Sequence, residues 1–206
     1  TPLLYVANSE SDIFLHTRQG NHYFLTAGRW FRAQSLDGPW TAATSDLPPE
    51  FALIPEDHPR AYVLSSVPGT PDAEAAVLLA SIPRKATVKR SEVKVTVVYE
   101  GKPQFVKIDG TTVYYAANTP NSVLKVGKDY YCCHQGIWFV AKSPAGPWAV
   151  ASSVPKVIYT IPASHPKHNL TYVYVYDSTP DTVIVGYTSG YSGSYVAASG
   201  LLMFGL

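Results

Sequence analysis

The sequence predicts a mainly β protein made of internally duplicated antiparallel units, β-meander or sandwich in form, with one short helix at about residues 71–82. Three observations predict it. A thirteen-residue stretch occurs twice, GRWFRAQSLDGPW at 28–40 and GIWFVAKSPAGPW at 136–148, with eight identities in register and all four tryptophans of the chain inside it. The composition, with 15 Tyr, 7 Phe and 17 Pro against a single Met, favours strands and turns. Apolar residues alternate in short runs separated by Gly, Pro, Asn and Asp, the signature of half-buried strands. The copies lie 108 residues apart. That period is too long for the common solenoid repeats or for one propeller blade, and it fits a duplicated small domain.

Taken in order, strands are expected at 3–7, 12–17, 22–27, 29–35 and 40–44, forming a meander that Pro48-Pro49 ends. Residues 50–54 suit a single helical turn and 61–66 a further strand. The helix follows from Thr70 as cap, Pro71 at the first position, Asp72 and Glu74 in the first turn, an Ala/Leu-rich run and Pro83 as a stop. The basic run 84–90 reads as a solvated connector into a strand at 93–99. The second copy then brings strands at 104–108, 112–118, 123–126, 129–133, 137–143 and 148–152, and a long β segment at 170–176 and 182–187. The repeat extends to Ile54–Pro59 and Ile161–Pro166, and to Thr70-Pro71-Asp72 and Thr179-Pro180-Asp181. After the first of these the chain turns helical; after the second it runs Thr-Val-Ile-Val, a strand. The halves are expected to divide as 1–91 and 92–206 and to pack together.

Within each motif, alternation sets Phe31 and Ala33 opposite Trp30, Arg32 and Gln34, and Phe139 and Ala141 opposite Trp138, Val140 and Lys142. Phe and Ala are the expected core side, since each Trp shares its face with long polar side chains. The Gly-Pro pairs reverse the chain before Trp40 and Trp148. The four tryptophans then either brace their hairpins or present surface anchors. Tyr172, Tyr174 and Tyr176 are expected on one strand face at period two. Such a ladder can pack under a sheet, accept sugar rings or form a protein interface.

Other features exclude more than they suggest. The net charge of +1 argues against nucleic-acid binding by bulk electrostatics. No apolar run is long enough to span a bilayer. Cys132 and Cys133 are adjacent and should point to opposite strand faces, one thiol buried and one half-exposed. The histidines of the repeated His-Pro pairs, His58 and His165, suit backbone capping in turns. No catalytic, cofactor or metal motif stands out, so no catalytic residue and no cofactor are expected. The chain opens at Thr1 and ends on the apolar run Leu201, Leu202, Met203, Phe204, which reads as part of a longer or processed protein. An unpaired strand at 201–204 would be a sticky edge open to β-augmentation by a neighbouring subunit.

The Trp-Phe…Ser…Gly-Pro-Trp stretches, Ile54–Pro59, Val67-Pro68-Gly69-Thr70 and Val173–Pro180 resemble a family of large bacterial secreted or envelope proteins, some of them assigned to carbohydrate binding. The likeness spans nearly the whole chain. It implies an extracytoplasmic compartment and brings no catalytic residues with it. The sequence therefore points to a non-enzymatic structural or assembly protein of the envelope or an extracellular fibre, self-associating or held to an envelope partner. The alternative is a module that binds cell-surface polysaccharide through exposed aromatics.

Overall fold

The computed structural model describes residues 2–205. It is mainly β, with several antiparallel sheets and one α-helix among the described residues. The first sheet is a five-stranded meander, β1 (Leu3–Tyr5), β2 (Asp12–His16), β3 (Asn21–Thr26), β4 (Arg29–Ala33) and β5 (Thr41–Ala42), each paired with its sequence neighbour. Helix α1 (Pro71–Ser81) follows, then strand β6 (Arg84–Lys89). The second meander is β7 (Phe105–Lys107), β8 (Val113–Ala116), β9 (Ser122–Val126), β10 (Asp129–His134), β11 (Ile137–Ala141) and β12 (Ala149–Val150). Strands β13 (Val173–Ser178) and β14 (Thr182–Tyr187) form a separate sheet in the order β13-β14-β6, and β15 (Ser194–Val196) pairs with β16 (Leu202–Phe204).

Two compact units result, one of residues up to Ile82 together with those from Gly193 onward, the other Pro83–Ser192. The expected division at 91/92 is therefore moved. Strand β6 makes six register pairs with β14, which draws it into the second unit, and β16 binds back to the first.

The duplication is visible in the register. Phe14 pairs with Tyr23, Leu25 with Trp30 and Phe31 with Ala42. In the second meander Leu124 pairs with Tyr131, Cys133 with Trp138 and Phe139 with Val150. Both motif turns carry a cis Gly-Pro bond, at Gly38-Pro39 and Gly146-Pro147, and both glycines have positive φ, 87° and 94°. The Trp ring that follows folds back on the glycine. A Cβ there would meet Trp40 Cδ1 at 3.1 Å or Trp148 Cδ1 at 2.9 Å, so the turn selects Gly for conformation and for space.

The Trp side of the motif strands is a core side in both copies, against the sequence expectation, while the expected Phe/Ala side is fully buried in the second copy, at Phe139 and Ala141, and only partly in the first, where Phe31 is half-buried. Trp30 and Trp138 are both 0 % exposed. Trp30 sits among Phe14, Tyr23, Phe51, Val63 and Leu64; Trp138 among Leu124, Cys133, Ile158, Leu170 and Val173. Each indole N–H is satisfied by a backbone carbonyl, Ser66 at 2.7 Å and Val173 at 3.0 Å. The polar neighbours misled because they reach the margin: Arg32 extends to Asp46, 2.7 Å away.

Four further segments differ from the sequence reading. Residues Ala61–Ser66 form a 3-10 helix, as do His168–Tyr172. In both copies the preceding histidine starts the turn: Nδ1 of His58 accepts the Arg60 N–H and Nδ1 of His165 accepts the Lys167 N–H, each at 3.1 Å. Local capping outweighs β-propensity there. Residues 93–99 are extended but unladdered. Val93, Val95, Val97 and Tyr99 pack inward while side chains of Asn118, Thr119 and Asn121 hold the backbone near Val98 and Glu100. The basic run 84–90, expected as a connector, forms the edge strand β6 over Arg84–Lys89, where exposed lysines discourage unwanted pairing.

Candidate functional site

The sheet β13-β14-β6 has two faces of different character. Val183 and Val185 of β14 and Val175 of β13 turn inward and pack with Phe139, Cys132 and Val123. Alternation sends Tyr174, Ile184, Gly186, Lys85, Thr87 and Lys89 to the other face. Across it Tyr174 pairs with Gly186 and Gly186 with Lys85. A register shift between Val175 and Asp177 sets Tyr176 at the bulge, and its ring centroid lies 5.9 Å from that of Tyr174. Gly186 makes room for it: a Cβ there would stand 2.9 Å from Tyr176 Cε2 and 2.7 Å from the Arg84 carbonyl oxygen. The Lys85 ammonium sits 4.0 Å from the Tyr176 ring centroid, a cation–π contact.

A third ring completes the platform. Tyr159, on the 3-10 turn Lys156–Thr160, stacks on Tyr174 with centroids 5.2 Å apart and planes 7° from parallel. Its hydroxyl donates to the Val173 carbonyl at 3.1 Å, the same oxygen that accepts the Trp138 indole N–H. The motif tryptophan thus braces the platform from beneath. Burial pushes the Tyr159 hydroxyl up to about 12, so it stays a protonated donor across the neutral range.

The other expected residues fall elsewhere. Tyr172 leaves the ladder because it belongs to the 3-10 turn; its ring meets His168 edge-on at 5.4 Å and shields Gly190. Trp30 and Trp138 are core residues. Trp40 is half-buried with an edge contact to Phe24 at 5.8 Å, and Trp148 is half-buried against the core of the second unit. Both cysteines are buried, since both faces of β10 are covered, and burial raises each thiol to about 12. The 201–204 run pairs with β15 in its own chain. Leu201 and Met203 are buried, Leu202 is half-buried and Phe204 exposed. Arg29 Nη1 and Nη2 donate to the Phe204 and Gly205 carbonyls at 2.8 Å.

Sequence reasoning missed Tyr159 and Lys85. A signal existed for the first: in register with the first copy, Tyr159 replaces Ala52, so an aromatic has entered one copy alone. Lys85 carried no signal, because only the pairing of β6 with β14 brings it to β13.

Comparison with protein-family models, curated proteins and solved structures finds no match. The geometry must speak for itself. Among the described residues no group of three His, Cys, Asp or Glu could hold a metal ion, and no helix is long and apolar enough to cross a membrane. A cleft in the first unit lined by Leu3, Tyr5, Phe14, Ile54, Pro55 and His58 encloses about 30 Å³, far below the few hundred that a small-molecule site needs. The tyrosine cluster stands instead at a sheet surface, with Tyr176 exposed and its ring tilted 49° to that of Tyr174.

Proposed function

We propose that this chain is a non-enzymatic, extracytoplasmic protein that binds polysaccharide on the Tyr159–Tyr174–Tyr176 platform. The carrying observation is that platform: a near-parallel ring pair continued by Tyr176, which is 39 % exposed, on a solvent-facing sheet. Aromatic faces accept the apolar C–H faces of sugar rings, while hydroxyls and Lys85 supply polar contacts at the edge. The resemblance to bacterial envelope proteins supports the compartment. Affinity electrophoresis through gels containing plant or bacterial polysaccharides tests the reading. Retardation by at least one polymer is expected, and Tyr174→Ala with Tyr176→Ala should abolish it while leaving the circular dichroism spectrum unchanged. Equal mobility of this variant and the wild type in every gel would refute it.

A second reading, self-association as a structural protein, rests on a different observation. The end of α1 exposes Leu78, Leu79 and Ile82, and the tail hairpin of the same unit, whose strand β16 contacts α1, exposes Val196 and Phe204. Large apolar side chains grouped on one unit are an association surface. Sedimentation velocity should then give a concentration-dependent coefficient that Leu79→Ser and Phe204→Ser together remove; a monomer at millimolar concentration would exclude it.

A further inference from the structure

The near-zero net charge conceals a separation. By sequence, the unit Pro83–Ser192 holds twelve Lys and Arg against six Asp and Glu, a side-chain charge of +6. The rest of the chain holds four against nine, −5. The total of +1 therefore does not exclude a cationic face on the second unit. The cationic excess crowds onto β6 and the strap after it: residues 84–102 contain six Lys and Arg and two Glu.

We infer that the tyrosine platform takes an acidic polysaccharide, a polymer of carboxylate-bearing sugars. This rests on the platform reading above and names the ligand class. Lys85 is the deciding residue. It is exposed, its ammonium lies over the Tyr176 ring 4.0 Å from the centroid, and it forms no ion pair among the described residues. Thr87 and Lys89 follow it on the same face at period two, each about 6.7 Å further along the strand. Lys89 is engaged with Glu92 at 2.9 Å, but both are exposed, and such surface pairs are weak enough to exchange for a ligand carboxylate. A uronate ring on Tyr174 and Tyr176 would set its carboxylate toward Lys85, with later sugars running along β6 past Thr87 and Lys89. The field of the +6 unit would draw in a polyanion over a distance of about a Debye length.

Nucleic acid also joins aromatic stacking to basic charge. The platform suits it poorly. Of the three rings Tyr176 is the exposed one, Tyr174 being half-buried and covered on one face by Tyr159, whereas a single-strand groove stacks successive bases on a series of open rings.

The test compares one polymer with its own charge masked. Binding of the full chain to polygalacturonate, to its methyl ester, to alginate and to an oligothymidylate is measured by calorimetry at low and at moderate salt. Polygalacturonate or alginate should bind. Methyl esterification should weaken binding about tenfold or more, the loss of one contact to a charged group. Lys85→Gln should weaken it similarly, Lys85→Arg should largely restore it, Lys89→Gln should act less strongly, and added salt should weaken only the charged polymers. Equal binding of polygalacturonate and its ester, with Lys85→Gln neutral, overturns the acidic class and leaves the platform reading intact. Tighter binding of oligothymidylate than of either uronate polymer overturns it in favour of nucleic acid. Absence of binding to both uronate polymers overturns it outright, and if Tyr174→Ala with Tyr176→Ala still leaves retardation by a neutral polymer unchanged, the platform reading falls as well.

Discussion

Strands β4 and β11 carry the same motif, lie at the same place in the same meander, turn through the same cis Gly-Pro bend and place the same indole against a backbone carbonyl. They differ on the face away from the tryptophan. Phe31 is half-buried, whereas Phe139 is 1 % exposed. The second unit covers its outer face with the sheet β13-β14-β6 and with the strap of Val93, Val95 and Val97; the first has no such cover in its core clusters. The difference originates at a shared capping residue. Thr70 Oγ1 accepts the Ala73 N–H at 3.2 Å, and Thr179 Oγ1 accepts the Thr182 N–H at 2.9 Å. From the same start, Ala-Glu-Ala-Ala-Val-Leu-Leu continues as helix α1 and Thr-Val-Ile-Val continues as β14. The scaffold has been kept in both copies and its covering layer has diverged, and the candidate site stands on the diverged layer.

The comparison is most easily broken in the cores. Trp30→Ala and Trp138→Ala should each cost about 3–5 kcal/mol, the range for emptying a large buried aromatic site. Equal costs would fit the shared inner face. The outer face should then split the copies. Phe139→Ala should also cost about 3–5 kcal/mol, and Phe31→Ala about 1–2, because its side chain is only partly removed from water. Urea midpoints at constant slope measure this. A Phe31→Ala cost as large as that of Phe139→Ala would mean that the outer face of the first meander is as well covered as that of the second.

The units should also part at high pH. In the second unit burial raises Cys132, Cys133, Tyr99, Tyr159 and Tyr191 to about 12, from ordinary values of 9.0 for Cys and 10.0 for Tyr. These are acids whose folded form holds its proton longer than the unfolded chain does. Their contribution is complete below about pH 9 and is lost as pH rises toward 12, since the unfolded state then binds fewer protons. Heating at stepped pH should show the second unit's transition falling through that window. Ultraviolet titration should show these tyrosines ionising together with unfolding. Thiol-reactive dye should label neither cysteine at pH 8 until the protein unfolds.

Much of the meander was legible because period-two alternation and Gly-Pro turns are local signals, and α1 because its cap, Pro71 and Pro83 lie within a few residues of it. Faces were less legible. Trp30 and Trp138 go inward because each can satisfy its indole N–H on a carbonyl supplied by a distant segment, Ser66 at the end of a 3-10 turn and Val173 at the start of β13, information that the strand itself does not contain. Arg84–Lys89 looked like a connector since its pairing partner β14 lies about ninety residues later in sequence, and contact of that range outweighs local polarity. The site was half legible: Tyr174 and Tyr176 stood out as a ladder, but Tyr159 and Lys85 reach it only through packing.

The smallest expected effect probes the fork itself. Thr70 is buried, accepts from the Ala73 N–H and directs its own hydroxyl toward the Leu64 and Val67 carbonyls, at 2.7 and 2.9 Å. Removing it leaves buried backbone groups without partners, so Thr70→Ala should cost about 1–2 kcal/mol, at the upper end for a helix cap. Thr179 is exposed, and water can replace its hydroxyl at the Thr182 N–H, so Thr179→Ala should cost about 0.5 kcal/mol or less. Thr→Ser at either position should recover most of the loss, because the hydroxyl rather than the methyl makes the bond. If the two alanine variants lower the melting temperature equally, Thr179 is as necessary to β14 as Thr70 is to α1, and the sequence that follows each threonine would not by itself decide between helix and strand.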